Sequence, residues 1–179
     1  MTVAEPPHSS EAGLIAGLKA GDEDAAHEFF DRYAARIRRF IASSLGAGFD
    51  EADDLLQETF IALADALPFF RGDSSLFTFA CAIAHRKVLT LIRTNARRAR
   101  LMKGAPMAEH TSQRDAGADR EFNRAMAELR PEYREVLILK YVEEIQVSEI
   151  ARILRLGEHA VESRLARARN SLRKSLKPE

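Results

Sequence analysis

A chain of 179 residues, 46% apolar and 30% charged, has the length for one ordinary domain or two small ones and the balance of a soluble globular protein. Its single cysteine, Cys81, excludes an internal disulfide and fits a reducing cytoplasm. The N-terminus MTVAEPPHSS has no apolar signal core, and the longest uncharged stretch of the apolar part, SSLFTFACAIAH, falls short of the roughly 18 apolar residues of a membrane span.

The formal net charge of zero averages over unlike pieces. Residues 1–68 carry 5 Lys+Arg against 13 Asp+Glu, and residues 69–104 carry 8 against 1. Residues 105–122 carry 2 against 4, and residues 123–179 carry 12 against 9. A chain divided this way can meet a polyanion on one face and a basic partner on another.

Helix signals run through the chain in order. Ser10 caps a short helix that Gly21 stops, and Asp22 caps the next. That second helix carries Ala26, Phe29, Phe30, Tyr33, Ile37, Phe40 and Ile41 at helical spacing as far as Gly46. Asp50 opens a third helix, with Leu56, Phe60, Leu63 and Leu67 on one stripe, ended by Pro68. The stretch FFRGDSS reads as a loop. Ser74 or Ser75 then caps a long helix reaching about Arg100, with Phe77, Ala80, Ala84, Val88, Leu91 and Ile92 apolar. The segment MKGAPMAEHTSQRDAGA is polar and rich in small residues and reads as a flexible linker. Beyond it, Pro131 starts a helix carrying Val136, Leu137, Leu139 and Val142. Two more helical patterns, VSEIARIL and HAVESRLARARNSLRKSL, meet at a short turn at Gly157. No strand is expected.

Three constellations carry chemistry. The first is DEADDLLQETF, Asp50 to Phe60. Carboxylates in a first turn suit the helix dipole and explain Asp50, Glu51 and Asp53. They do not explain why Asp50, Asp54, Gln57 and Ile61 share one face, with Asp53 beside it and an apolar residue at its end. A protein-docking face accounts for both. Clustered carboxylates can also hold Mg²⁺ in a nuclease, but no Lys or His in this stretch supports catalysis, and the five histidines are scattered. Neither a catalytic residue, a metal site nor a cofactor is expected.

The second constellation is Arg86, Lys87, Arg93, Arg97, Arg98 and Arg100 on one helix, preceded by Phe69, Phe70, Phe77 and Phe79. Like charges at i, i+4 weaken an isolated helix, and a phosphate backbone relieves them. Aromatics beside a basic groove suit unstacked single-stranded bases, although helical spacing equally allows each Phe to be core. The third is the C-terminal helix pair. Its short Gly-containing turn matches a helix-turn-helix whose outer face shows Glu162, Ser163, Arg164, Arg167 and Arg169. Spacing alone leaves DNA binding and an ordinary amphipathic hairpin both open.

Together these motifs resemble a bacterial sigma factor of the extracytoplasmic-function (ECF) type, over about residues 10–100 and 120–176. The resemblance rests on DEADDLLQETF, FRGDSSLF and AIAHRKVLTLIR in the first half and on LRPEYREVLILKY, VSEIARIL and VESRLARAR in the second. It implies an all-α fold of two small helical domains. A sigma region 2-like domain at 10–100 follows a disordered N-terminus at 1–9. A linker at 101–118 leads to a region 4-like helix-turn-helix domain at 119–179. The implied function is non-enzymatic: binding core RNA polymerase and directing initiation at promoters, in the cytoplasm and without membrane insertion. The implied contact with the clamp helices of the polymerase's largest subunit is Asp50, Asp53, Asp54, Gln57 and Ile61. The loop Phe70, Arg71, Asp73, Ser74, Ser75 and Phe77, with Arg86, Lys87, Arg93 and Arg97, would hold melted −10 DNA. The −35 duplex would meet His159, Glu162, Ser163, Arg164, Ala166, Arg167 and Arg169.

The chain departs from the family pattern at several positions. Phe79 replaces a Trp, Arg86 and Thr90 stand where Asn and Asp are common, and Ala160 stands where Thr is. Glu162 replaces a Lys or Arg. A carboxylate cannot hold phosphate but can accept from cytosine N4; an ion pair with Arg155 or Arg169 is the simpler expectation. Nothing after Arg164 resembles an added regulatory domain, so control is expected from an anti-sigma factor. A stand-alone helix-turn-helix regulator is the competing reading; it would need neither the −10 loop nor the basic helix beside it.

Overall fold

Ser10 Oγ accepts from the Gly13 N–H at 3.1 Å and starts α1, Glu11–Ala20. Gly21 ends it at φ 76°, a left-handed conformation that glycine adopts without penalty. Asp22 Oδ1 then accepts from the Asp24 N–H at 3.0 Å and starts α2, Glu23–Leu45. The computed structural model describes residues 10–45, 49–101 and 118–176. The expected N-terminal segment 1–9, the helix stop at Gly46 and the linker apart from its two ends lie outside the described residues.

The buried stripe of α2 runs through Ala25, Phe29, Tyr33, Ile37, Phe40 and Ile41. Ala26 and Phe30, expected on it, are exposed. Adjacent residues on a helix point about 100° apart, so Phe29 and Phe30 cannot both face inward. Phe30 instead leans on the Phe60 ring, 5.6 Å between centroids. In α3, Phe49–Ala66, the inner face is Ala52, Leu55, Leu56, Thr59 and Leu63. Pro68 turns its end into a single 3₁₀ turn, Leu67–Phe69.

The long helix α4, Leu76–Leu101, begins at Ser75, whose hydroxyl accepts from the Thr78 N–H at 3.0 Å. Helix α1 reaches both flanks of the preceding loop. Glu11 Oε1 accepts from the Leu76 N–H at 2.8 Å, and Lys19 Nζ donates to the Phe70 carbonyl at 2.8 Å. Gly72 makes the turn between them at φ 79°.

Helix α5 covers Ala118–Glu128, and Pro131 occupies the first turn of α6, Pro131–Leu137. The expected continuation of α6 is underwound into a π turn, Ile138–Val142, closed by the Glu143 N–H on the Ile138 carbonyl at 3.0 Å. The extra residue shifts the phase. Leu139 stays buried, Val142 turns outward and Glu143 turns inward. Helices α7, Val147–Leu154, and α8, Glu158–Ser175, form the helix-turn-helix. Its left-handed residue is Arg155, at φ 54°. Gly157, expected to make the turn, is extended at φ −75° and precedes α8 as its cap.

The fold is all-α, and no strand occurs among the described residues. Its two halves, α1–α4 and α5–α8, meet where α2 touches α6 and the π turn and where α4 touches α7. Buried apolar side chains from both halves join in one continuous cluster.

Candidate protein- and nucleic-acid-binding surfaces

The outer face of α3 exposes Asp54, Gln57 and Ile61; of Asp50 only the backbone is described. Ile61 is 66% exposed, a large aliphatic side chain that nothing among the described residues covers. Phe30 of α2, 52% exposed, adds a second apolar group one helical step away through Phe60. The adjacent pair Phe29–Phe30 carries the signal for it, since only one of the two can belong to the inner stripe. Asp53 differs from its neighbours. Arg38 grips it with two donors, the second at 3.1 Å. The guanidinium holds the Asp53 carboxyl below its ordinary range, and the carboxylate in turn raises Arg38.

The surface assigned to −10 DNA is split by burial. Arg71 and Asp73 are exposed, and Ser74 and Ser75 are half-buried. Phe70 and Phe77, expected to face DNA, lie in the core instead. Phe70 stacks on Phe79 with centroids 4.6 Å apart. Phe77 stacks on Tyr33, and the Arg36 guanidinium lies 3.9 Å above its ring. Helical spacing decides this, since Phe77 shares the inner face of α4 with Ala80, Ala84 and Val88. The aromatic that does face outward is Phe69, 82% exposed at the end of the 3₁₀ turn. On α4, Arg86, Arg93 and Arg97 form an exposed row. Lys87 beside them donates to Glu58 of α3 at 3.1 Å. A shallow groove between α3 and α4 is lined by Ala62, Ala66, Ile83, Arg86, Lys87 and Thr90.

On the helix-turn-helix, His159, Glu162, Ala166, Arg167 and Arg169 are exposed, and Ser163 and Arg164 are half-buried. The opposite side of α8 is anchored by Val161, Leu165 and Ala168. A polar groove of about 540 Å³ runs between this face and the start of α6, bringing Arg130 and Tyr133 beside His159, Ser163, Arg164 and Arg167. Arg130 lies outside the helix-turn-helix and was not anticipated from the α8 pattern. Glu162 makes no ion pair among the described residues, with Arg155, Arg169 or any other cation. Arg169 donates to the Tyr141 hydroxyl at 3.3 Å.

Two further observations bound the chemistry. Among the described residues, no cluster of three or more His, Cys, Asp or Glu could hold a metal, and no helix is long and apolar enough to cross a membrane. Cys81 is fully buried, and burial, reinforced by the Glu143 charge, pushes its thiol well up and away from the reactive thiolate.

Comparison with known proteins gives these surfaces a family. Residues 29–98 match the sigma-70 region 2 family, and residues 119–172 match the sigma-70 region 4 family. The ECF RNA polymerase sigma factor SigC of Mycobacterium tuberculosis is 29% identical over 184 residues, covering 100% of this chain and 98% of the relative. Among solved structures, CnrH in complex with the cytosolic domain of CnrY matches with TM-score 0.65 and 26% identity, covering 91% of this chain and 94% of that one. The sigma factor RpoE in complex with the anti-sigma factor NepR, from Bartonella quintana, shares the fold with TM-score 0.73 and 24% identity, over 86% of this chain and 97% of that one. Two sigma-specific halves in family order, and a full-length ECF relative, establish that this chain is a member of the ECF type of the sigma-70 family.

Proposed function

We propose that the chain recruits core RNA polymerase through α3, reads −35 DNA as duplex with α8, and holds melted −10 DNA with the 69–75 loop and the basic row of α4. The observation that carries this reading is the separation of chemistries on exposed faces. Asp54, Gln57 and Ile61 form an acidic and apolar face, whereas Arg86, Arg93 and Arg97 form a basic one. A stand-alone helix-turn-helix regulator needs neither. All covalent chemistry belongs to the polymerase, and the work takes place in the cytoplasm. An anti-sigma factor is the expected inhibitor, consistent with the NepR complex of the fold neighbour.

The direct test is transcription. Purified protein, core polymerase and a genomic promoter library should yield mapped start sites sharing one −35 and one −10 element. No specific initiation with several core enzymes would refute the reading. The same selection addresses Glu162, which as an unpaired carboxylate should favour a cytosine in the −35 element. Recovery of the usual family element, unchanged by Glu162→Ala, would remove that assignment.

Two substitutions separate the DNA surfaces. Arg167→Ala should weaken −35 binding by about 1–3 kcal/mol and relax selectivity at one base position. An equal loss on every sequence would make Arg167 a phosphate contact only. Phe69→Ala should weaken binding to single-stranded −10 DNA by about 1–3 kcal/mol, the stacking contribution of one base. Because Phe69 is exposed, its thermal midpoint should stay put. Unchanged single-strand affinity would exclude Phe69 from base capture.

A further inference from the structure

Among the described residues, two that carry side chains adopt the left-handed backbone: Glu144 after the π turn and Arg155 at the end of α7, both at φ 54°. A Cβ makes this conformation costly, which is why glycine is the usual choice. The sequence supplies a glycine two positions later, at Gly157, where the backbone is extended and an added Cβ would meet nothing within 4 Å. Arg155 draws no compensation from the rest of the chain. The bonds that end α7 run through the backbone, from the Arg155 N–H to the Arg152 carbonyl at 3.4 Å and from the Leu156 N–H to the Ala151 carbonyl at 2.9 Å. A glycine would make both. The Arg155 side chain is exposed and forms no ion pair or hydrogen bond among the described residues, with Glu158, Glu162 or any other acceptor.

The stretch that follows Arg155 is acidic. From Leu156 to Ser163, the turn and the start of α8, there are two glutamates and no Lys or Arg. Both, Glu158 and Glu162, are exposed. In a helix-turn-helix this is the end of the recognition helix that enters the major groove. Phosphates line both lips of that groove and repel carboxylates. The first cations on α8 itself, Arg164 and Arg167, lie more than a turn beyond Glu158.

We propose that Arg155 is a −35 DNA contact outside the recognition helix: its guanidinium takes a backbone phosphate at the lip of the major groove, beside the acidic start of α8. The inference rests on the −35 reading above. Three chain steps separate Arg155 from Glu158, at most about 10 Å between their Cα atoms. The groove is about 12 Å wide. With the start of α8 at its floor, Arg155 stands at an edge, where the phosphates are. Phosphate contacts fix orientation without reading sequence. Arg155 is thus a positioning residue. It holds the entry end of α8 against the DNA backbone, so that Glu162 and Ser163 meet the same base pairs each time. The contact with DNA, absent from the free chain, offsets the cost of the left-handed backbone.

The test compares substitutions in the full chain. Arg155→Gly should raise the thermal midpoint by about 3 °C, because the backbone strain is gone. The same variant should bind a duplex carrying the selected −35 element about fivefold more weakly at about 0.1 M salt, and the slope of log K against log salt should flatten by about 0.9, the counterion released at one phosphate. A stability gain joined to an affinity loss is a result that a merely structural arginine would not give. Arg155→Lys keeps the charge and should restore the slope and most of the affinity, with a midpoint near that of the wild type. Glu144→Gly relieves the same backbone conformation at the π turn and should raise the midpoint by a similar amount with affinity and slope unchanged. Unaltered affinity and slope in Arg155→Gly overturn the contact. So does a loss that Arg155→Lys fails to rescue, which would place the effect in the backbone of the turn. A midpoint that falls in Arg155→Gly also overturns it, since Arg155 would then serve the fold. A random-sequence duplex separates this inference from the reading beneath it. The phosphate contact predicts the same flattening on both duplexes, whereas a wild type that binds both equally counts against −35 recognition and leaves the slope to decide Arg155.

Discussion

Exchanging Asp54 and Gln57 together for Arg should lower the affinity for core RNA polymerase by about a hundredfold, roughly 2.7 kcal/mol. Both side chains are exposed on α3, and both face the partner in the proposed complex. Placing two cations where a basic surface is to dock exchanges attraction for repulsion, and like-charge contacts at an interface cost several kcal/mol. Folding should hardly notice. Removing one carboxylate near a helix start forfeits about 0.3–1 kcal/mol of dipole energy. Binding of the full chain to −35 duplex should be unchanged, because α8 lies in the other half. Titration of core enzyme and of duplex DNA with the same preparation provides both readings. Unaltered core affinity would mean that polymerase docks elsewhere. Asp53 is a poorer target for this experiment, since Arg38 already neutralises it within the chain.

Phe40→Ala should act in the opposite way, on stability. Phe40 is completely enclosed on the inner stripe of α2, and its carbonyl accepts from the hydroxyls of Ser43 and Ser44 at 2.7 and 3.0 Å. Truncating a buried Phe costs about 3–5 kcal/mol through lost burial and the cavity left behind. Against a total stability of about 5–15 kcal/mol, that is a large fraction. At roughly 2–4 °C per kcal/mol for a chain of this size, the thermal midpoint should fall by about 10 °C. A denaturant melt giving less than about 1 kcal/mol would show that the neighbouring side chains close over the gap.

Local signals in the sequence settled most element boundaries. Ser10, Gly21, Asp22 and Pro131 each act within one turn of helix, and the structure uses them as their chemistry suggests. What escaped the sequence depends on partners far along the chain. Periodicity says that Phe77 belongs to a face of α4, but not that Tyr33 and Arg36 wait there to cover it. It marks Glu135 and Glu143 as charged, hence solvent-facing, when their partners His85 and Arg36 lie 50 and 107 residues away. The π turn is equally silent, because the pattern of Leu139 and Val142 fits an unbroken helix until Glu143 is drawn inward. On the candidate surfaces, the exposed row of α4 and the outer face of α8 follow from helical phase alone. Phe69 and Arg130 do not, since their exposure depends on where neighbouring elements end.

Helix α1 fixes both ends of the loop before α4, through Lys19 on the Phe70 carbonyl and Glu11 on the Leu76 N–H. Ordering a free loop on binding would consume about 1–2 kcal/mol of backbone entropy per residue. With its anchors already tied, the segment from Arg71 to Ser75 is a preorganised platform, and in the proposed −10 role more of the contact energy with a flipped base would appear as affinity. The anchors also lie outside the segment they hold. The loop residues are thus free to vary while the scaffold stays constant, which, in the proposed −10 role, would make this stretch a natural cassette for transplanting −10 preference from one sigma factor to another.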